Sequence, residues 1–269
     1  MRRLLRGALS DASYRVLRLT NGRPHGLRIL TYHRVTDAHP GDRLCVPVRR
    51  FEEQMRRLRD WGYRTISVAD AVRWISSPAG NGHADMDRAV VLTFDDGYED
   101  NYAHAYPAMA HHGFSAAFFV PSAFIAGGPH QFHAADRPMS WKQLQELLRQ
   151  GHEIGAHSVT HRRLAHISPA DVPAEVEDCK RSLEQGLQQP VDYFCYPAGD
   201  YNAQVRAAVA AAGYRGACTV EPGANHPGAD PFTLKRTEIS ACDSLWDVEK
   251  KLAGAYDWLH RIWQTSWRT

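Results

Sequence analysis

Four stretches of the chain share one pattern, in which apolar positions at helical spacing end at a glycine and lead directly into a β-rich run. These stretches are residues 58–67, 109–120, 147–157 and 208–220, and their glycines are Gly62, Gly113, Gly151 and Gly213. A helix commonly ends at a residue of positive φ, which glycine adopts without steric cost. The pattern therefore predicts a repeated succession of helix and strand.

Short apolar runs rich in β-branched and aromatic residues predict seven buried strands, at 28–33, 89–94, 115–120, 153–157, 192–197, 214–220 and 234–239. Alternating strands and helices indicate a parallel sheet covered by helices, which either closes as a barrel or stays open and doubly wound. Because about seven strands are expected, we favour an α/β fold: a distorted (β/α) barrel in a single domain. Such barrels carry their active groups on the loops that follow the carboxyl ends of the strands.

The composition is that of a globular protein, and it excludes several other classes. Hydrophobic residues make up 43% and charged residues 23% of the 269 residues, which excludes a disordered or collagen-like chain. A formal net charge of +2 is too balanced for a protein whose main partner is nucleic acid. The five cysteines are an odd number without a CxxC pair, so neither a disulfide framework nor a zinc ribbon is indicated.

Two adjacent carboxylates, Asp95 and Asp96, follow the apolar run at 89–94 and are themselves followed by Gly97. Burying adjacent anions is costly unless a cation or hydrogen-bond donors compensate them, so we expect something positive nearby. Strand alternation would point the two side chains to opposite faces. At a strand end, however, Gly97 can let the chain turn and aim both into one pocket. The alternative is an ordinary Asp-Gly turn.

Two histidines, His157 and His161, follow another predicted buried strand. Their HxxxH spacing brings two imidazoles together on one helical turn or in a compact loop. Two histidines and one aspartate leave positions open for water and substrate, which is the arrangement of a catalytic rather than a structural metal site. In a chain with 15 histidines, such a pair could also arise by chance on the surface.

Together, TFDDGY at 93–98 and HSVTH at 157–161 resemble the motifs of the polysaccharide deacetylase family, which shares the NodB homology domain and forms carbohydrate esterase family four. The resemblance covers roughly residues 27–240. It implies a metal-dependent hydrolase that removes acetyl groups from N-acetylated sugars.

The family motifs assign a role to each matching residue. The resemblance implies that Asp95 is the general base and that the metal ligands are Asp96, His157 and His161. A divalent cation polarises the amide carbonyl and activates water, while a nearby carboxylate takes the proton. This set of nitrogen and oxygen ligands suits zinc, but also cobalt, nickel, manganese or iron.

The chain departs from the family pattern at the third motif, where it reads CYPAG at 195–199 instead of RxPxG. The arginine that orients the base in the family is therefore missing from that place. The nearest candidate to replace it is Arg236, at the end of a late predicted strand, where it could pair with Asp95. An ordinary surface arginine is the alternative.

The family's C-terminal LxH motif, whose histidine is the general acid, is also absent after residue 200. The run ILTYHRV at 29–35 resembles the corresponding motif of a circularly permuted branch of the family, which deacetylates poly-N-acetylglucosamine. The first and last strands of a barrel are neighbours, so this permutation is physically possible. We therefore assign His33 as the general acid, against the alternative of a structural histidine at the end of the first strand.

Aromatic residues near the motifs are candidates for stacking on sugar rings. We assign Tyr98 and Tyr196 to substrate binding and regard the others as core residues. A backbone N–H near Tyr196 is a candidate donor to the oxyanion of the tetrahedral intermediate.

The chain divides into three predicted parts: a basic amphipathic extension at 1–26, the NodB-like deacetylase domain at 27–245 and a Trp-rich helical tail at 246–269. In the extension, apolar residues recur at helical intervals, at Leu5, Leu9, Ala12, Val16 and Leu19, among five arginines. Such a helix could lie on an anionic membrane or pack on the barrel, and both remain open. For the tail, packing on the barrel is favoured over membrane contact.

Charged residues interrupt the apolar run that a secretory signal requires, so we expect no cleavable signal. We also find no run of about 18 apolar residues, the length that a membrane span requires. A location in the cytoplasm or on the cytoplasmic face of the membrane is therefore expected, with an N-acetylated glycan or a carrier-linked amino sugar as substrate.

The leading functional hypothesis is removal of N-acetyl groups from N-acetylhexosamine units of a polysaccharide or glycolipid. One alternative is deacetylation or deformylation of a small or lipid-linked amino sugar. Another is a catalytically silent glycan-binding domain. The four intact residues Asp95, Asp96, His157 and His161 argue against silence, because a binding domain would not need all of them.

Overall fold

A computed structural model of the chain describes residues 9–15, 26–77, 86, 88–128 and 136–257. Its strands are β1 Arg28–Tyr32, β2 Arg34–Val35, β3 Cys45–Val46, β4 Arg64–Thr65, β5 Ala89–Phe94, β6 Ala117–Val120, β7 Glu153–Ala156, β8 Tyr193–Cys195, β9 Gly216–Cys218 and β10 Thr237–Glu238. The α-helices are α1 at 9–15, α2 Val48–Asp60, α3 Val68–Ile75, α4 Tyr106–Ala110, α5 Ser122–Ile125, α6 Trp141–Arg149, α7 Cys179–Leu187, α8 Ala203–Ala211 and α9 Leu245–Leu252. Two π-helical turns, Asn101–Ala105 and Ala174–Asp178, precede α4 and α7. Short 3₁₀ turns occur at Leu164–His166, Pro197–Gly199 and Pro231–Thr233.

The central sheet is parallel and has the order β10-β1-β5-β6-β7-β8-β9, with β4 paired to the start of β5. Leu234 links the two edges: its N–H donates to Ala217 O at 2.9 Å, and its carbonyl accepts from Thr219 N at 2.9 Å. Three residues later, Thr237 pairs with Leu30 of β1. All seven predicted strands are confirmed, β5 with its predicted bounds and the other six with shorter ones, as is the distorted (β/α) barrel.

Side chains alternate between two apolar layers along each strand. In β1 and β5, Ile29 and Val91 belong to the inner cluster, together with residues of α3. Leu30 and Leu92 belong to the outer cluster, which the surrounding helices cover. Because alternation has a period of two, Asp95 follows Val91 and Thr93 towards the interior. This periodicity explains how a carboxylate comes to lie inside the barrel.

The four glycines predicted to end helices all have positive φ, between 69° and 83°. Gly113, for example, follows α4 with φ 69° and leads into Phe114, whose N–H donates to Met109 O at 3.0 Å. That bond satisfies a carbonyl that the helix end would leave unpaired. The predicted succession of helix, glycine and strand is therefore confirmed.

Helix α1 packs against α9. Trp246 Nε1 donates to Asp11 Oδ1 at 2.9 Å, and Lys250 Nζ donates to Ser10 Oγ at 3.0 Å. The ring of Tyr14 lies 4.7 Å from that of Trp246. The predicted apolar positions Leu9 and Ala12 are exposed, so another face of the helix makes these contacts.

The second half of the predicted tail, including Trp258, Ile262, Trp263 and Trp267, lies outside the described residues, as do residues 1–8 and 16–25 of the extension. Within α9, Val248 and Leu252 belong to the outer core. No helix in the described part of the chain is both long and apolar enough to cross a bilayer.

Candidate active site

Chemistry-bearing side chains meet at the carboxyl ends of neighbouring strands. Asp95 follows β5, His157 follows β7 and Cys195 ends β8. His33 follows β1, the other neighbour of β5. The parallel order of these strands brings residues more than 100 positions apart to one edge of the barrel, where such folds carry their active sites.

Asp95 forms a buried bidentate ion pair with Arg236. Arg236 Nη1 donates to Oδ1 and Nη2 to Oδ2, both at 2.7 Å, and the two side chains are 3% exposed or less. Burial by itself would raise the pKa of Asp95, but the charge and hydrogen bonds of Arg236 hold it below its usual value. Asp95 is therefore a carboxylate at neutral pH, and Arg236 is the positive group that its burial requires.

Arg236 is held by the barrel wall on its other sides. Its Nε donates to Thr219 O at 2.7 Å, and its Nη1 also donates to Thr93 Oγ1 at 3.2 Å. Its Nη2 approaches Cys195 Sγ at 3.0 Å. Every nitrogen of this planar guanidinium has a partner, so the orientation of the group is fixed. The carboxylate of Asp95, bound to two of these nitrogens, is therefore held in one orientation as well.

The backbone turns at Asp96 itself. Asp96 has φ 73° and Gly97 has φ 72°, so two successive left-handed residues end the strand alternation. A Cβ at Gly97 would lie 2.8 Å from Val120 Cγ1, which leaves room for glycine alone. Asp96 Oδ1 consequently faces the histidines, 3.6 Å from His157 Nε2 and 3.2 Å from His161 Nε2. A left-handed aspartate at this point is a strained conformation that the site itself requires.

His157 is buried and its ring orientation is set by a backbone carbonyl. Its Nδ1 lies 2.7 Å from Cys195 O, and a carbonyl can only accept, so Nδ1 carries the proton and Nε2 is free to act as a ligand. Burial lowers the pKa of His157 to about 4, despite the nearby charge of Asp95. The ring is therefore neutral at pH 7, which is the state that binds metal.

His161 lies in a compact loop rather than on a helix, which settles the two geometries that the HxxxH spacing allowed. It has φ 60°, and its N–H donates to the Oγ of Ser158, which has φ 63°. Burial lowers the pKa of His161, but the hydrogen bond and charge of Asp96 raise it by more, so its net pKa is above the usual value.

The loop between the two histidines is anchored by Glu175, a buried residue of the π-helical turn before α7. Its carboxylate accepts hydrogen bonds from Val159 N at 3.0 Å, Thr160 N at 2.9 Å and the Thr160 hydroxyl. These hydrogen bonds fix the backbone of the loop between His157 and His161 to the turn that contains Glu175. Sequence reasoning did not find Glu175, because no motif spacing relates it to the histidines.

Asp96, His157 and His161 fit a divalent metal ion. Their ligand atoms all lie within 4.8 Å of one another, and one carboxylate with two imidazoles is a donor set that zinc and its neighbours accept. Asp95, His157 and Cys195 also lie within that distance, but fit less well. Both oxygens of Asp95 already bind Arg236, and burial raises the pKa of the Cys195 thiol well above its usual value.

His33 follows Tyr32 of β1, which is in register with Phe94 of β5, and a positive charge on its ring would help to lower the pKa of Asp95 and of Asp96. Its carbonyl accepts a hydrogen bond from Asn101 Nδ2 at 3.0 Å. Among the residues that the structure describes, its buried Nδ1 has no hydrogen-bond partner. The structure thus brings together all six residues predicted for catalysis and metal binding.

The two predicted substrate-binding tyrosines differ. Tyr98 is half-buried next to Asp96, and the guanidinium of Arg34 lies 4.3 Å from its ring centre. Tyr196 corrects our prediction, since it is fully buried, donates its hydroxyl to Phe232 O at 3.1 Å and is stacked by Tyr201 at 4.7 Å. Its N–H also donates to Cys218 O at 3.1 Å. Neither its ring nor its N–H is therefore available to a sugar.

Comparison with known proteins identifies the family. The model of the family described as polysaccharide deacetylase matches residues 82–217, just over half of the 269 residues. The protein belongs to the polysaccharide deacetylase family. This family, carbohydrate esterase family four, comprises hydrolases of N-acetyl amide bonds in polysaccharides, so the predicted family and enzyme class are confirmed.

Individual relatives of this polysaccharide deacetylase are also named as deacetylases. YxkH of Bacillus subtilis (strain 168), a protein named as a polysaccharide deacetylase, is 30% identical over 218 residues, 81% of this chain and 73% of its own. Poly-beta-1,6-N-acetyl-D-glucosamine N-deacetylase of Escherichia coli (strain K12) is 28% identical over 141 residues, 47% of this chain and 20% of its own. The deacetylase PplD of Streptococcus pyogenes, solved in complex with acetate, superposes with a TM-score of 0.74 at 26% identity, over 84% of this chain and 98% of its own.

Proposed function

We propose that this polysaccharide deacetylase is a metal-dependent enzyme that removes N-acetyl groups from N-acetylhexosamine units of a polysaccharide or glycolipid. One observation carries the proposal: the ligand atoms of Asp96, His157 and His161 converge beside the buried Asp95–Arg236 pair. A carboxylate kept ionised next to three metal ligands is the arrangement that hydrolysis of an amide requires.

Asp96, His157 and His161 would hold the ion. When bound, a divalent cation supplies a Lewis acid for the amide carbonyl and lowers the pKa of water. Zinc is our first choice for this ligand set, with cobalt, nickel, manganese or iron as alternatives.

Asp95 acts as the general base. Arg236 uses one lone pair on each carboxylate oxygen and the Cys195 thiol also donates to Oδ2 at 3.7 Å, which leaves a lone pair on Oδ1 to accept the proton of the attacking water. The same ion pair stabilises the carboxylate form, so Asp95 is ready to accept that proton at neutral pH. Arg236 therefore orients the base and does not itself move a proton.

His33 acts as the general acid. It approaches the aspartates from β1, while His157 and His161 approach from the loop after β7. An imidazolium there can give its proton to the amide nitrogen as the carbon–nitrogen bond breaks, so that the sugar leaves as an amine. Two different side chains thus serve as acid and base.

The N-acetyl group and the glycan are the finer part of the proposal. The Escherichia coli relative is named for poly-β-1,6-N-acetylglucosamine, and the early motif around His33 resembles that branch. The intact set of base, acid and ligands favours an enzyme over a silent glycan-binding domain. Small or lipid-linked amino sugars, and N-formyl groups, are alternative substrates that the same chemistry would serve.

The test is acyl release from a defined panel after metal removal. The protein is treated with a chelator and divided among zinc, cobalt, nickel, manganese and iron. It is then incubated with β-1,6- and β-1,4-linked N-acetylglucosamine oligomers, lipid-linked N-acetylated sugars and N-formyl analogues, and acetate and formate are measured. We expect acetate release that disappears on chelation, returns with metal and is absent in His161→Ala. Release that ignores chelation, or glycan binding without any release, would contradict the proposal.

A further inference from the structure

Arg34, directly after the proposed acid His33, is the centre of a buried ionic network. Its side chain is 7% exposed. Nε donates to Asp100 Oδ2 at 2.8 Å, while Nη1 and Nη2 donate to the two oxygens of Asp136 at 2.6 and 2.7 Å. One guanidinium thus binds two carboxylates that are 36 positions apart in the chain.

The Asp100 side of the network holds the main chain on either side of Arg34. Asp100 Oδ1 accepts from Val35 N at 3.0 Å, and Asn101, which is fully buried, donates to His33 O at 3.0 Å. Asp100 and Asn101 belong to the same short segment as Asp96, the proposed metal ligand. The backbone of the acid is therefore tied to the segment that carries the metal ligand.

The Asp136 side adds a third segment. Met139 N donates to Gly97 O at 2.8 Å, and Glu99 N donates to Arg137 O at 2.9 Å. Residues 136–139 therefore lie along the turn after β5, and the bidentate bond from Asp136 joins them to Arg34. His39 Nε2 also contacts Asp136 Oδ1, at 2.9 Å. Arg34 therefore connects three segments near His33: its own, the one that contains Asp100 and the one that contains Asp136.

A network of this kind is a costly way to gain stability. Taking an arginine and two carboxylates out of water costs several kcal/mol per ion, and apolar residues of similar size often serve as well. The network does, however, restrict geometry, because a planar guanidinium with three of its N–H groups engaged has one orientation. His33 needs such restriction, since its buried Nδ1 has no hydrogen-bond partner in the described part of the chain to orient the ring.

We propose that Arg34 is a positioning residue for the general acid, an inference that rests on the role proposed for His33. Through Asp100 and Asp136 it holds the His33 backbone, so that the imidazole meets the amide nitrogen at the moment when the carbon–nitrogen bond breaks and the proton passes from ring to nitrogen. The side-chain hydrogen bonds of Arg34 go to Asp100 and Asp136 rather than to a proposed metal ligand, and its guanidinium lies 4.3 Å from the ring centre of Tyr98.

The test compares two substrates that differ in their need for an acid. An N-acetylated β-1,6-glucosamine oligomer releases a poor leaving group and requires the proton, whereas 4-nitrophenyl acetate releases a phenolate that does not. For Arg34→Met we expect kcat on the oligomer to fall on the order of 10- to 100-fold, with KM and metal content unchanged and ester hydrolysis retained. His33→Ala should show the same selectivity with a larger loss, and Arg34→Lys a smaller one.

Arg28→Met is the matched control. Arg28 begins β1, at the opposite end of that strand from His33, is 4% exposed and forms a bidentate pair with Asp257 at 2.9 and 2.7 Å. Removing it breaks a bidentate Arg–Asp pair far from the site, whose carboxylate is 32% exposed, so it should lower the melting temperature and leave the ratio of amide to ester hydrolysis unchanged. A ratio that fell equally in Arg28→Met would assign the effect to general loosening and overturn the proposal.

Two further outcomes separate this inference from the role of His33. If His33→Ala loses amide hydrolysis selectively and Arg34→Met loses amide and ester hydrolysis equally, the positioning role of Arg34 is overturned. If His33→Ala itself loses both equally, the proposed acid is wrong. Should Arg34→Met fail to fold, Asp136→Asn removes one partner only, and a selective loss in that variant supports the proposal whereas equal loss or none contradicts it.

Discussion

Arg236 and Asp95 form a bidentate ion pair at 2.7 Å across 141 positions of sequence. Arg236 precedes β10, the strand that lies beside β1, and its side chain crosses the barrel interior to reach the end of β5. Cys195 ends β8, the strand beside β7, and its small side chain touches the guanidinium while its carbonyl orients His157. One residue thus contacts both the arginine that orients the base and a proposed metal ligand.

Asp95→Asn should abolish deacetylation while metal remains bound. The amide keeps the shape of the side chain but cannot accept the proton of water, so we expect a loss of about 10²-fold or more in turnover. Metal content, measured by mass spectrometry, should match the wild type, because Asp96, His157 and His161 are unchanged. Asp178→Asn, an exposed site, is the control. Near-normal turnover in Asp95→Asn would refute the assignment of the base.

Arg236→Met should destabilise the fold strongly at neutral pH. It leaves the carboxylate of Asp95 buried without its cation, and breaking one side of a buried pair costs about 3–5 kcal/mol. The double variant Asp95→Asn with Arg236→Met removes both charges and should recover much of that loss. Chemical unfolding of the metal-free proteins measures the free energy of unfolding of the wild type, of Arg236→Met and of the double variant.

The loss in Arg236→Met should shrink as pH falls. In the wild type, the folded-state pKa of Asp95 lies below its unfolded value of about 3.9, so the pair stabilises fully above that pH and loses its contribution as pH falls towards the folded pKa. Without Arg236, burial raises the folded pKa above the unfolded value, and the penalty vanishes once the carboxyl is protonated. If the wild type and Arg236→Met differed in free energy of unfolding by the same amount at about pH 7 and about pH 4, this account would be contradicted.

Glu175→Gln should weaken metal binding although Glu175 is not a ligand. Its two carboxylate oxygens accept three hydrogen bonds from the loop that positions His161, and the amide retains a single acceptor oxygen. We expect metal affinity to fall about 10- to 100-fold, as is typical when groups that support ligands are lost. Glu177→Gln, exposed two residues later, should bind as the wild type. Titration with zinc and a competing chelator distinguishes them, and equal affinities would remove Glu175 from the site.

The N-terminal extension remains a proposed membrane contact. In α1, Ser10 and Tyr14 are buried, and the two predicted apolar positions that the structure describes, Leu9 and Ala12, stay exposed when the helix packs on α9. The protein should sediment with vesicles of anionic phospholipid at low salt and be released at high salt. Leu9→Glu with Ala12→Glu should abolish sedimentation.

Ala207→Glu with Ala211→Glu is the control, since it adds the same charges at exposed positions of α8. Unchanged sedimentation of the α1 variant would exclude this face of the extension as the membrane contact. Equal loss in both variants would show that added negative charge alone prevents binding.

Much of the fold was predictable because local periodicity decides it. The seven strands and the four helix-ending glycines follow from apolar runs and from the positive φ that glycine adopts. Arg236 could be proposed as the partner of Asp95 because the arginine expected from the family's third motif is missing and a buried carboxylate needs a cation. These inferences depend on neighbours in sequence or on elementary electrostatics.

The remaining features depend on contacts between distant segments, which no local pattern records. Glu175 reaches the His161 loop, and Arg34 reaches Asp136, only once the barrel has brought their loops together. The burial of Tyr196 was missed for the same reason, since alternation along a three-residue strand does not reveal that Tyr201 will cover its ring. The sequence by itself determined the strands, the helices and the residue types of the active site, because periodicity and charge act locally. The tertiary structure alone decided which side chains hold those residues in place, because closure of the barrel sets the distances between loops.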